Sequence, residues 1–276
     1  MARVRNPLHG KTVVVTGAAS GIGRALALRL SASGSPVAIA DFDTEGLAET
    51  ESMVAGPVLA RSLDVSDRSA VLGFASTVAE WTRAPIGAVI NNAGVTTSQS
   101  FIDASPEDDE WVMNVNFGGV VNGSHAFMPL LLKQGSGTLV NVSSVFGLFS
   151  FPNQSAYCAS KHAVRGFTEA LRHELRGTGV AVAVVHPGGV KTNIVSNARF
   201  HVDDQGNTDH QDAAERFEKL CRTTPERAAE IIQAGIERGN PRIRIGGDAV
   251  AMDLLVRAAP VRYYGVIERF VSLTGR

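Results

Sequence analysis

Short, wholly apolar runs alternate along this chain with longer stretches in which apolar residues recur every three or four positions. Residues 11–16 (KTVVVT) are β-branched and stop at Gly17, as a strand buried on both faces does. Ile22, Ala25, Leu26 and Leu30 then follow helical spacing up to Gly34. The same alternation predicts strands at 36–41, 58–63, 86–91, 137–143, 180–186 and 242–245. Helices are predicted over 44–53, 69–81, 108–133, 156–175 and 225–238. Strands apolar on both faces and separated by helices belong to a parallel sheet covered on both sides. The expectation is an α/β fold, a doubly wound parallel sheet in three α/β/α layers. No Pro/Gly/Ser-rich linker and no internal repeat divides it, so residues 1–276 read as a single domain.

Two stretches break the rhythm. Residues 192–224 are polar, with His201, Asp203, Asp204, Asp209, His210 and Asp212, and carry a short amphipathic piece at 217–220. Residues 250–273 are apolar but punctuated by Asp253, Arg257, Arg262 and Glu268.

Composition narrows the function. Of 276 residues, 44% are hydrophobic and 28 are glycine, which excludes disorder and a small disulfide scaffold. Lys and Arg number 26 against 27 Asp and Glu, so no basic excess exists for nucleic-acid phosphates. No apolar stretch is long enough to cross a membrane, and the first ten residues lack the apolar run of a signal peptide. Two cysteines, Cys158 and Cys221, make no framework and fit a reducing compartment. A cytoplasmic protein is expected.

Residues 16–23 read TGAASGIG between the first strand and the first helix. Glycines allow a sharp turn and close approach to a pyrophosphate, and the free N–H groups of a helix start face the anion. Gly17, Ser20, Gly21, Ile22 and Gly23 are therefore assigned to a dinucleotide phosphate. Asp41 ends the second strand 18 residues after Gly23. An acid there suits ribose hydroxyls and repels a 2′-phosphate, so NAD is favoured over NADP. Arg24 is read as a surface cation of the first helical turn, and Asp43 as the cap of the next helix.

Tyr157 and Lys161 stand four apart in a helical pattern and share a face. A tyrosine is a poor base at neutral pH, and a nearby ammonium favours its phenolate. Here the chain closely resembles the short-chain dehydrogenase/reductase family in its compact single-domain form, over roughly residues 10–250. The resemblance rests on ordered motifs: TGAASGIG at 16–23, LDV at 63–65, NNAG at 91–94, VNFGG at 115–119, NVSS at 141–144, YCASK at 157–161 and HPGGVKT at 186–192.

The resemblance implies a Rossmann-type fold and a catalytic set of Asn116, Ser144, Tyr157 and Lys161. Ser144 would hold the substrate oxygen, Tyr157 exchange its proton, Lys161 bind the nicotinamide ribose and lower the tyrosine pKa, and Asn116 hold a water. Asn114 and Ser143 are the competing positions. Asp64 and Val65 would flank adenine, while Asn91, Ala93 and Gly94 would lie beside the adenosine ribose and the sheet edge, with Asn91 partly structural. Pro187, Gly188, Val190 and Thr192 would contour the nicotinamide.

The implied activity is reversible hydride transfer between NAD(H) and a secondary alcohol or ketone. Val145, Phe146, Leu148, Phe149 and Phe151 favour a bulky apolar small-molecule substrate. An NADPH-dependent 3-oxoacyl reductase and a non-catalytic nucleotide-sensing regulator are the alternatives. The histidines and aspartates of 192–224 lack calcium-loop or zinc spacing, so no metal is assigned and 193–224 is expected to be a substrate lid. The apolar tail, 249–276, is expected to pack over the cleft or a neighbouring subunit rather than on a membrane. Family resemblance also suggests a homo-oligomer, dimer or tetramer, through helices 108–133 and 156–175.

Overall fold

The computed structural model describes residues 7–201, 208–211, 215–216, 219 and 221–274, with side chains of the final helix described as far as residue 269. Seven strands form one sheet: β1 (Thr12–Thr16), β2 (Val37–Asp41), β3 (Val58–Ser62), β4 (Ile86–Asn91), β6 (Thr138–Val142), β7 (Ala181–Pro187) and β9 (Arg242–Ile245). Their spatial order is β3-β2-β1-β4-β6-β7-β9, and every adjacent pair is parallel. The predicted doubly wound sheet is what forms, in a single domain.

Alternation along each strand separates two cores. Val13, Val15, Ile39, Ile90, Val185 and Ile245 face α1 (Gly21–Ala32) and α7 (Pro225–Glu237), meeting Leu26, Leu30, Ile232 and Ile236. Val14, Val89 and Leu139 face the other way, against Phe74 and Val78 of α3 (Arg68–Trp81) and Phe127 and Leu131 of α5 (Gly119–Gln134). Each such fully buried side chain contributes about 1.5–3 kcal/mol. The helices α2 (Thr44–Met53), capped by the Asp43 carboxylate on Gly46 N, and α6 (Ser155–Glu174) complete the layers.

The order of strands reverses between β1 and β4, which opens a crevice at their carboxyl ends. The loops after β1, β4, β6 and β7 converge there.

The helix expected over 108–133 is not continuous. It is α4 (Pro106–Met113), a π-turn over Asn114–Gly118, and α5. The cause is local: Asn116 Oδ1 accepts from Val95 N at 2.8 Å, and its Nδ2 donates to Val95 O at 2.9 Å and to Ser160 Oγ at 3.0 Å. Turning that amide inward requires one wide turn, a common device at working sites.

Outside the main sheet, β5 (Thr97–Ser98) pairs in parallel with β8 (Arg199–Phe200). Much of the expected lid, including most of the amphipathic piece at 217–220, lies outside the described residues. The apolar tail forms α8 (Gly247–Ala258) and α9 (Tyr263–Thr274). Tyr263 and Ile267 pack with Phe149, and Val145, Phe146, Phe151, Met252 and Leu255 join them. No described helix is long and apolar enough to cross a membrane.

Candidate active site

The glycine turn after β1 is a point of close backbone approach. Gly17 has φ +68°, and a Cβ there would stand 2.7 Å from Ala93 Cα. A Cβ on Gly23 would stand 1.9 Å from Gly17 O. Asn92, which carried no assignment from sequence, holds the turn by donating its Nδ2 to Thr16 O and Gly17 O at 3.0 and 3.1 Å. Thr16 Oγ1 in turn accepts from Asn92 N and Ala93 N. Ser20 is the N-cap of α1, yet its side chain makes no capping bond and the first turn holds no acidic residue. The leading N–H groups of α1 are thus left facing the crevice without a side-chain acceptor, which fits an anionic ligand. Ile22 packs partly into the core behind them.

At the end of β2 the Asp41 carboxylate accepts from Ala19 N at 2.8 Å and from Asp43 N at 3.0 Å, so it is fixed at the edge of the turn. Arg24 is not the solvated surface cation expected. Its guanidinium donates to Ala19 O, Thr50 Oγ1, Gly46 O and Glu49, tying α1 to α2. Asp64 lies exposed and accepts from Ser66 N and Oγ, while Val65 is buried against Gly119.

After β4, Asn91 turns away from the crevice. It is buried, and its Nδ2 donates to Asn141 Oδ1 at 2.8 Å, while Asn141 Nδ2 donates to Thr168 Oγ1 at 3.0 Å. This polar chain ties β4 to β6 and α6, the structural half of the role expected for Asn91. Gly94 reaches the other group of residues: a Cβ there would lie 3.1 Å from Lys161 Nζ and 3.2 Å from Asn116 Oδ1.

Ser144, Tyr157 and Lys161 come together where β6 ends and α6 begins, all buried. Ser143 donates its hydroxyl to Lys161 O at 2.7 Å, which removes it from competition with Ser144. Ser144 Oγ accepts from Phe146 N and hydrogen-bonds the Tyr157 phenol. Burial pushes that phenol up to about 12 against the pull of Ser144. Lys161 Nζ lies 5.6 Å from the Tyr157 ring centroid and donates to Val142 O at 3.2 Å, and burial brings it down to about 8. Burial thus raises the phenol where Lys161 was expected to lower it. Behind them His186 lies fully buried, Nδ1 bonded to Ser144 O at 3.0 Å; burial pulls it down to about 4.

The segment after β7 divides. Val190 is buried in the core facing α1, so its side chain is not a crevice wall. Gly188, just after Pro187, bonds Ile245 O, and a Cβ there would stand 2.2 Å from Asp248 Oδ2, whose carboxylate also accepts from Gly189 N. Thr192 reaches the glycine turn, its methyl 3.1 Å from where a Gly21 Cβ would stand.

An apolar wall stands beside the tyrosine. Phe146 lies edge-on to Tyr157 at 6.0 Å and stacks on Phe151 at 5.5 Å. In the segment expected to be a lid, Arg199 and His201 donate to Asp108 of α4 at 2.8 and 3.0 Å, and Arg199 lies 4.0 Å over Trp111. Neither Asp108 nor Asp248 carries a local motif; only the fold brings them to their partners.

The family model for short chain dehydrogenases matches residues 11–202. The chain belongs to the short-chain dehydrogenase/reductase family. As such it is an oxidoreductase in family terms, and it is similar to a putative oxidoreductase, SadH, of Mycobacterium tuberculosis, with 43% identity over 96% of each chain. It also resembles a solved short-chain dehydrogenase/reductase from Burkholderia phymatum in complex with NAD. That likeness has a TM-score of 0.81 and 32% identity, covering 91% of this chain and 94% of the other. A short-chain dehydrogenase from Burkholderia cenocepacia in complex with NADP has a TM-score of 0.78 and 25% identity, over 95% and 98% of the two chains. The short-chain dehydrogenase/reductase neighbours thus bind either nicotinamide nucleotide.

Proposed function

We propose that this chain catalyses reversible hydride transfer between NAD(H) and a bulky, apolar secondary alcohol or ketone. The observation that carries this reading is the buried Ser144–Tyr157 hydrogen bond with Lys161 beside it, at the foot of an aromatic wall. Gly17, Ser20, Gly21, Ile22 and Gly23 would receive the pyrophosphate. Asp41 would take the adenosine ribose hydroxyls, with Asp64, Val65 and Ala93 beside the adenosine and Pro187, Gly188 and Thr192 by the nicotinamide. When bound, the nicotinamide supplies the hydride acceptor or donor. Ser144 orients the substrate oxygen, and Tyr157 gives or takes one proton at that oxygen. At neutral pH the tyrosine is protonated, poised as a donor for ketone reduction. Lys161 stays charged below about pH 8 and stabilises the phenolate left behind. Asn116 fixes Val95, next in the chain to Gly94, which lies against that ammonium, and is a positioning residue.

The stretch 193–224 acts as the substrate lid and 249–276 as a second cover, in a cytoplasmic homo-oligomer assembled through α4, α5 and α6. The decisive experiment is a panel of secondary alcohols and ketones with NAD and NADP, followed by cofactor absorbance. Turnover of aromatic or long-chain substrates with NAD, and a preference narrowed about tenfold by Asp41→Ala, are expected. Turnover of small polyols alone, or equal use of NADP by the wild type, overturns the substrate or the cofactor assignment respectively. The NADP-bound neighbour keeps a 3-oxoacyl reductase working with NADPH as the second reading.

A further inference from the structure

On the face of β7 and β9 that carries His186, the last strand is arginine-coated where the others are apolar. His186 is in register with Arg244, and Arg242 with Val184, so Arg242 and Arg244 share that face while Ile243 and Ile245 enter the opposite core. Above them a cavity of about 460 Å³ lies between α6, β9 and α8, bounded by Leu148, Arg165, Glu169, Arg172, Arg242, Asp253, Val256 and Arg257. Four arginines face two carboxylates.

The carboxylates do not use up the arginines. Asp253, buried at 4% exposure, sits at the floor and accepts from Arg242 at 3.0 Å, Arg244 at 2.9 Å and Arg257 at 3.0 Å. Arg165 pairs with Glu169 at 3.2 Å. Arg172 makes no ion pair with any described residue, and the buried Arg242 Nε–H finds no acceptor. A buried donor without an acceptor is unfavourable, and the five arginines named, Arg244 included, against Asp253 and Glu169 leave three positive charges uncompensated. Burial above all, then Arg165 and Arg257 nearby, holds Arg242 below its ordinary range against the pull of Asp253.

We propose that this cavity is an oxyanion site for a phosphate dianion, free or as a phosphate monoester, separate from the nucleotide crevice. Guanidinium forks match phosphate oxygens bidentately, and the dianion offsets two of the three excess charges. The site communicates with the catalytic loop. Arg165 also donates to Gly147 O at 3.4 Å, and Leu148, four residues past Ser144 in the chain, forms part of its wall. Occupancy therefore restrains the loop that bears Ser144.

The test titrates inorganic phosphate, and in a second arm glycerol 3-phosphate, against chloride at matched ionic strength, reading the melting temperature and a binding isotherm. Saturable stabilisation by phosphate is expected. Arg172→Gln, which removes no ion pair or hydrogen bond seen among the described residues, is expected to weaken binding about tenfold, one lost charge-assisted hydrogen bond. Arg257→Gln should weaken it further. Tighter binding of the monoester assigns the site to a phosphorylated metabolite, and equal binding to the free ion. Stabilisation that chloride reproduces, or phosphate binding unchanged in Arg172→Gln and Arg257→Gln, overturns the proposal; in the latter case the phosphate sits elsewhere, as at the glycine turn.

Discussion

The two sides of the crevice are built from different materials. On the nucleotide side, the turn after β1 is held by main-chain contacts and by Thr16 and Asn92, with clearances that admit no extra atom. On the side proposed for the substrate, the proposed cover is held by exchangeable side-chain contacts: Asp108 with Arg199 and His201, and rings packed around Phe149. A backbone cradle can recognise one invariant group with great economy, because it has no rotamers to choose. A cover made of ion pairs and aromatic contacts can open, and its specificity can change by substitution without disturbing the sheet.

The sharpest break of that contrast lies between the two sides. Tyr157→Phe should lower turnover by about 10³-fold while leaving nucleotide binding intact, measured by steady-state rates and by fluorescence titration of the cofactor. Retained turnover would remove the tyrosine from the chemistry.

Gly23→Ala attacks the cradle alone. Its Cβ would meet Gly17 O, a main-chain atom that cannot swing aside, so the turn must open. Loss of nucleotide binding and a stability decrease on the order of 3 kcal/mol are expected in chemical denaturation.

A third experiment addresses what lies beneath both sides. His186 stays neutral in the fold until the pH falls to about 4, whereas in the unfolded chain it takes a proton near 6.5. The unfolded state thus binds more protons across that window, and stability falls as pH drops from about 6.5 to 4, by roughly 3 kcal/mol. Asp108 and Asp253, both held low, lose their contributions only further into acid. Melting curves against pH should show this slope, and His186→Gln should flatten it.

The smallest effect belongs to the cover. Asp108→Asn should raise KM about threefold and leave kcat within about twofold, since half-exposed ion pairs contribute little. A large fall in kcat instead would mean that the lid contact holds the catalytic geometry.

What the sequence made legible follows the same division. Strands such as Val13–Val15 and the glycine turn were readable because local chemistry, β-branching and a sharp bend, dictates them. Ser144, Tyr157 and Lys161 were readable through motif order, and the fold brings all three to one end of β6. Asn91 was only half readable, since its partner Asn141 lies 50 residues away and register alone joins them. Which way the Val190 side chain points was not legible, since its position beside the crevice does not tell that it is buried in the core. Arg24 looked solvated because three of its four acceptors, Gly46, Glu49 and Thr50, belong to α2. Asp108 was invisible as the partner of Arg199 and His201, being one acid among several in the first turn of α4.

The wide turn at Asn114–Gly118 has a consequence for the length of the chain. A π-turn holds one residue more than the α-helix could accommodate, and deletion of a single residue there would let α4 and α5 fuse into a regular rod. That rod would be the more regular helix, yet everything on one side of the deletion would be rotated by about 100° relative to the other. Asn116 would leave Val95, and Gly119 and Gly123 would no longer clear Val65 and Asn91. Across this segment the fold counts residues rather than volume, so substitutions can be absorbed where a change in length cannot.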